Sequence, residues 1–159
     1  MSKYKIVISR NDNMDFVGVA NGIPAKIDTG AFRSAIHASD VKVKKRGDKI
    51  VLTCNLLGHR AAPQSHPFET SRFSRVQITN SFGHKEHRYE VAMRVKLGGK
   101  VFNTSFTLAD RSKNVFPVLV GRKLLKGRFI VDVSTGAVNR QLLNNEFGIK
   151  LTDSADELE

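Results

Sequence analysis

The feature that most constrains this chain is its punctuation. Short apolar or alternating runs recur along most of its length, glycine-bearing turns break them, and helical periodicity is scarce. That pattern predicts many short strands. "YKIVIS", "KIVLTCNL" and "RFIVDVSTGAVN" each read as a strand. "DFVGVANGIPAKID" reads as two strands joined at Asn21-Gly22, a tight-turn pair. "SRVQITNSFGHKEHRYEVAMRVKL" has alternating segments on either side of a turn near residues 81–84, and "VKLGGKVFNTSFTLAD" folds around Gly98-Gly99. "FPVLVG" is continuously apolar, as for a strand buried on both faces, and "RKLLKG" then gives one or two helical turns stopped by Gly127. The stretch 63–74 reads as a long loop. So many short strands at this spacing predict an all-β fold, closed or sandwiched.

Length and charge set the outer bounds. A chain of 159 residues can bury one sizeable core, and no Pro/Gly/Ser-rich linker divides it. We expect one domain over residues 1–150 and a frayed acidic tail at 151–159. The start, "MSKYKIVISRND", has no apolar segment of signal-peptide length, and no apolar run approaches the ~20 residues of a membrane span. The expectation is a cytoplasmic protein with no membrane partner. The single cysteine, Cys54, excludes an internal disulfide and reads as a strand residue rather than a nucleophile. Net charge is +11 and the pI about 10.1, with the densest patch at "KVKKRGDK". Such a balance suits a solvated basic face, a nucleic-acid partner or an acidic substrate.

The chemistry is concentrated in "AKIDTGAFRSAIHA". Asp, Thr and Gly are ordinary turn formers. Here, however, the turn is hemmed in by apolar residues, and far downstream "FPVLVGRKLL" supplies an apolar strand, a Gly, an Arg and a short helix. Together these pieces resemble the retropepsin-like aspartic proteases. In that family an apolar strand delivers Asp-Thr-Gly-Ala, here Asp28, Thr29, Gly30 and Ala31. A later strand, here Leu119, Val120, Gly121 and Arg122, packs behind that loop. "FTLADRSKNVFPVLVGRKLLKGRFIVDVS" and "RVQITNSFGHKEHR" extend the likeness to a bacterial family labelled ATP-dependent zinc proteases, which has been regrouped with the retropepsins. The resemblance implies a retropepsin-like closed β-barrel with one short helix after the Leu-Val-Gly-Arg strand.

It also implies an aspartic endopeptidase, a hydrolase that needs no cofactor. Two carboxyls roughly 3 Å apart share one proton, so one acts as base toward water and the other as acid toward the amide. One Asp-Thr-Gly supplies half of such a site. In "VDVSTG", Asp132 lacks the following Thr-Gly and reads as structural. Two copies of Asp28 in a homodimer fit the chemistry. By resemblance, Thr29 would hydrogen-bond across the two-fold axis, and Gly30 would let the backbone approach substrate. The family's flexible hairpin, or flap, is expected at Asn80, Ser81, Phe82, Gly83 and His84; residues 56–67 are the other candidate. In viral members an Asp four places after the catalytic one pairs with the Arg that follows the later Gly. That position here is Phe32, so Arg122 needs another partner. A ribosomal-protein glutamate ligase often neighbours the family's genes, which points to acidic peptide or protein substrates.

Two rival readings stand beside this one. A metal-dependent peptidase needs ligands from Cys54 and the five histidines, His37, His59, His66, His84 and His87. There is no His-Glu-x-x-His, His84 and His87 point to opposite faces of a strand-like segment, and surface histidines are expected; His59 with His66 is the remaining loop pair. "LGGKVF" lacks the spacing and hydroxyl of a nucleotide-phosphate loop. A non-catalytic basic module could bind RNA or a ribosomal surface, though no aromatic RNA-stacking motif is visible.

Overall fold

The computed structural model describes residues 4–136. Among them the elements run β1 (Ile6–Ser9), β2 (Asn11–Phe16), β3 (Ala20–Ile27), β4 (Ala35–Arg46), β5 (Lys49–His59), β6 (Ala62–Thr70), β7 (Phe73–Thr79), β8 (Lys85–Leu97), β9 (Lys100–Ala109), β10 (Val118–Val120), α1 (Arg122–Leu125) and β11 (Phe129–Asp132). The expected tail at 151–159, and the end of the expected domain beyond residue 136, lie outside the described residues.

The sheet closes on itself. Strands run β10-β3-β2-β8-β9-β4, and β10 pairs β4 as well as β3, which seals a barrel of six staves. The closing strand is parallel to β3 (Val118 opposite Ala25, Val120 opposite Ile27) and antiparallel to β4 (Val118 opposite Ile36). A three-residue stave held on both edges satisfies its backbone, and Val118 and Val120 are fully buried. Inside, Phe16 meets Phe106 edge to face at 5.2 Å, with Met14, Ile36, Val91 and Val95 around them.

Two annexes leave the barrel. The hairpin of β4 and β5 runs on past the barrel wall, and β6 extends it as an outer edge. Its far end is exposed and carries Lys42, Lys44, Lys45, Arg46 and Lys49. The second annex is a parallel pair of β1 and β11. It sits on the β8–β9 turn, where a side chain on Gly98 would come within 3.2 Å of Ile6, Ile8 and Phe129. Gly98 and Gly99 both hold positive φ there, as that turn demands.

Several expectations change. Asn21-Gly22 is not the hairpin turn. The chain turns at residues 17–19, and Asn21 and Gly22 lie within β3 as two residues opposite the single Asp15, a β-bulge between the pairs Met14–Ile23 and Phe16–Ala20. Gly22 takes φ +67° and donates its N–H to Asp15 Oδ1 at 2.8 Å, so its positive φ serves to kink a strand rather than to close a hairpin. The stretch 63–74 is not a loop either; it holds most of β6 and the start of β7. The short helix after Arg122 is present.

Candidate active site

The Asp-Thr-Gly loop is built by β3, β10 and α1 together. As β3 ends, Asp28 continues its ladder by donating its N–H to Val120 O at 2.8 Å. The chain then turns: Ala31 N–H returns to Asp28 O at 3.3 Å, and Gly30 N–H donates to Asp28 Oδ1 at 2.9 Å. That bond aims the half-buried carboxylate, and a Cβ at Gly30 would lie 3.2 Å from the same oxygen. Thr29 and Gly30 are exposed beside it.

Behind the loop, Gly121 is packed backbone to backbone. A side chain there would come within 2.6 Å of Arg33 O and 2.8 Å of Phe32 O. Its N–H donates to the buried Ser34 hydroxyl at 3.0 Å, and Ser34 O accepts from Thr107. The first N–H groups of α1, which have no partner within a helix, donate to the loop: Arg122 to Ala31 O at 2.8 Å and Lys123 to Phe32 O at 2.9 Å. Arg122 Nη1 donates to Thr29 O at 3.1 Å, and its guanidinium lies 5.9 Å from the Phe32 ring centroid. Phe32 is half exposed, and Arg33 lies 5.5 Å from the same ring. A carbonyl and an aromatic ring therefore serve Arg122 where viral members use a carboxylate.

A groove of about 490 Å³ runs past this loop. Its lining includes Gly30, Ala31 and Phe32 of the loop, Ile78 and Arg88 of the β7–β8 hairpin, and Arg111. The tip of that hairpin is tied by one side chain: Asn80 Oδ1 accepts from Phe82 N–H and His84 N–H, each at 2.9 Å. Gly83 supplies the positive φ. Residues 79–87 are exposed, and Phe82 stands out at 86 %. The other flap candidate, residues 56–67, is strand and tight turn, with Leu56, Leu57, His59, Ala61 and Ala62 buried.

His59 explains that anchoring and corrects the expectation of surface histidines. His37 and His59 are both buried, with rings 5.5 Å apart. His59 Nε2–H donates to Arg111 O and Asn114 O at 2.9 Å each, while its Nδ1 accepts from Ala61 N–H. His37 Nδ1 accepts from Arg111 N–H at 2.9 Å. The two imidazoles thus clamp the connection between β9 and β10. Burial pushes both below the ordinary imidazole range; Asp110 raises His37 slightly, and Arg111 opposes it. No sequence signal marked this pair, because its partners are backbone atoms far along the chain.

Among the described residues no three His, Cys, Asp or Glu converge in a way that could hold a metal ion. His59 and His66 stand on neighbouring strands but are not cross-strand partners; His66 faces Leu56. Cys54 is buried in β5 and its thiol is pushed up to about 11 by burial, so it is no ready nucleophile. Asp132 accepts from the N–H and hydroxyl of Ser134 at the end of β11, a turn role. No helix among the described residues is long and apolar enough to cross a membrane.

Residues 9–141 match the RimB-like family, described as retropepsin-like aspartic endopeptidase RimB. The chain belongs to that family. A crystal structure of a protein of unknown function from Legionella pneumophila shares the fold, with a TM-score of 0.67 over 83 % of this chain and 96 % of that one, at 21 % identity. Among curated proteins, two named "Probable alpha-L-glutamate ligase" are similar. The one from Shewanella pealeana is 29 % identical over 84 % of this chain, and the one from Shewanella halifaxensis is 28 % identical over 94 %. This chain spans about a third of their length, 30 % and 34 % respectively.

Proposed function

We propose that the protein is an aspartic endopeptidase whose carboxylate dyad comes from Asp28 of two copies. The observation that carries this reading is the loop itself. Asp28 is fixed through Val120, Gly121 and Arg122, yet its flank at Thr29 and Gly30 is exposed, free to meet a second copy. In the reaction, Asp28 of one copy takes a proton from water as the water attacks the peptide carbonyl. The partner's Asp28 protonates the leaving amine, so the bond is hydrolysed without a covalent intermediate. The β7–β8 hairpin is the proposed flap, since it helps line the groove while residues 56–67 are anchored by His59.

Acidic peptides suit the charge of the protein, since a net charge of +11 steers anions toward it. Within the groove, Arg33 and Arg88 are already paired with Glu90 and Glu86, and Arg111 is buried. The likeness to proteins named as glutamate ligases agrees with a glutamate-rich substrate. A second reading, a basic module that binds a polyanion, is favoured by one observation: the exposed β4–β5 arm with its five cations and a groove of about 530 Å³ along it.

One substitution separates these. Asp28→Asn keeps size and removes the acid and the base from both copies. We expect hydrolysis of a glutamate-rich peptide to be abolished and the fold retained. The wild-type rate should be bell-shaped in pH, with two pKa values belonging to the pair. A chelator should leave the rate intact. Cleavage that survives Asp28→Asn, or is lost on chelation and restored by zinc, would overturn the aspartic reading.

A further inference from the structure

Glu90 sits where three parts of the site meet. It lies in β8, opposite Thr107 of β9, and is only 8 % exposed. It also marks a boundary along its strand. Lys85, Glu86 and His87 on the tip side are exposed, whereas Val91 on the other is fully buried. Glu90 is therefore the residue at which the hairpin leaves the barrel.

A buried carboxylate costs least when cations and hydrogen-bond donors face its oxygens. Glu90 has both. Arg33 Nη1 donates to Oε1 at 3.2 Å and Oε2 at 3.1 Å, and Lys123 Nζ donates to Oε1 at 3.3 Å. Lys123 also donates to Ser105 Oγ at 3.2 Å. Arg33 belongs to the loop that starts at Asp28 and lies against Phe32. Lys123 belongs to α1, whose backbone holds the same loop from behind. One carboxylate thus ties the root of the hairpin to the loop and to the helix.

We propose that Glu90 is a positioning residue for Asp28. It fixes the loop against the buried root of the hairpin, so that the hairpin can move beyond residue 90 without carrying the loop with it. Only the kinetic part of this proposal rests on the peptidase reading.

The test uses Glu90→Gln, Arg33→Gln and the double variant in the full chain, read by hydrogen exchange and by peptide hydrolysis. Glu90→Gln should speed exchange of the amides at residues 29–33 by about tenfold or more, while the core strand around Phe102 and Phe106 exchanges as before. kcat should fall by about tenfold or more with KM within about twofold, and the double variant should be no worse than the worse single, because the two side chains act as one unit. Faster exchange throughout, unchanged exchange in the loop, an unchanged kcat or additive losses would each overturn the proposal. Should Glu90→Gln fail to fold, Arg33→Gln, at a side chain 29 % exposed, carries the same test. If Asp28→Asn leaves hydrolysis intact, the peptidase reading fails by itself, and the exchange measurement still decides the role of Glu90.

Discussion

Gly121 shows how little room one residue can be given. Its neighbours are backbone carbonyls, which cannot swing aside as a side chain would, and they lie under 3 Å from where a Cβ would stand. Gly121→Ala must push the loop away from α1 or strain both. The expected loss of stability is about 3 kcal/mol, measured by denaturant unfolding, with hydrolysis falling further than the unfolded fraction explains. The buried imidazoles give a residue-scale prediction in pH. Above the ordinary value of 6.5, folded and unfolded chains are both neutral at His37 and His59 and pH has no leverage through them. Below it, the unfolded chain takes up protons that the folded one refuses, because each Nδ1 already accepts a backbone N–H and each ring is out of water. Stability should therefore decline as pH falls from 6.5 toward the lowered folded values. The charged groups nearby do not reverse this: Asp110 is 3.9 Å from His37, but Arg111 and Arg60 oppose protonation. Melting temperatures between pH 7.5 and 5.5 check it, and His37→Phe should flatten the slope.

At the scale of elements, the β7–β8 hairpin is buried at its root and exposed at its tip. Hydrogen exchange should show little protection over residues 81–87, rising when a peptide inhibitor binds; strong protection in the free protein would count against a flap. Asn80→Ala removes the acceptor of two N–H groups and should loosen the tip by about 1 kcal/mol while the melting temperature of the whole barely moves. This hairpin was legible in the sequence because its outer strands alternate and its turn carries Asn and Gly. The β8–β9 turn was legible for the same reason. Strand β6 was not. It contains Pro63 and Pro67, residues that signal a loop, and an outer edge strand tolerates them because one side of its ladder has no partner among the described residues. The bulge in β3 was misread because positive φ serves tight turns and strand kinks alike. At the site, the Asp28 and Gly121 motifs stood out, since both need unusual residues at fixed places. Glu90, Arg33 and the buried histidines did not, because common residue types acquire such roles only through contacts distant in sequence.

For the whole molecule, the proposed dyad would set a requirement of assembly. If activity needs Asp28 from two copies, specific activity should fall on dilution as dimers dissociate, and sedimentation over a range of concentrations should show the same midpoint. A strict monomer with full activity would sink the two-copy reading. The closing stave β10 carries a separate consequence, for the order of events during synthesis. Val118 to Val120 join strands laid down some ninety residues earlier, and the same segment holds Asp28 in place. Contacts so far apart in sequence form late, because the intervening chain must first be ordered. A nascent chain that has emerged only as far as Asp110 already contains Asp28 and the hairpin, yet it has neither a closed barrel nor an anchored loop. Asp28 is thus left unanchored until β10 has emerged, so under the proposed function a growing chain on the ribosome carries no assembled active loop before that point.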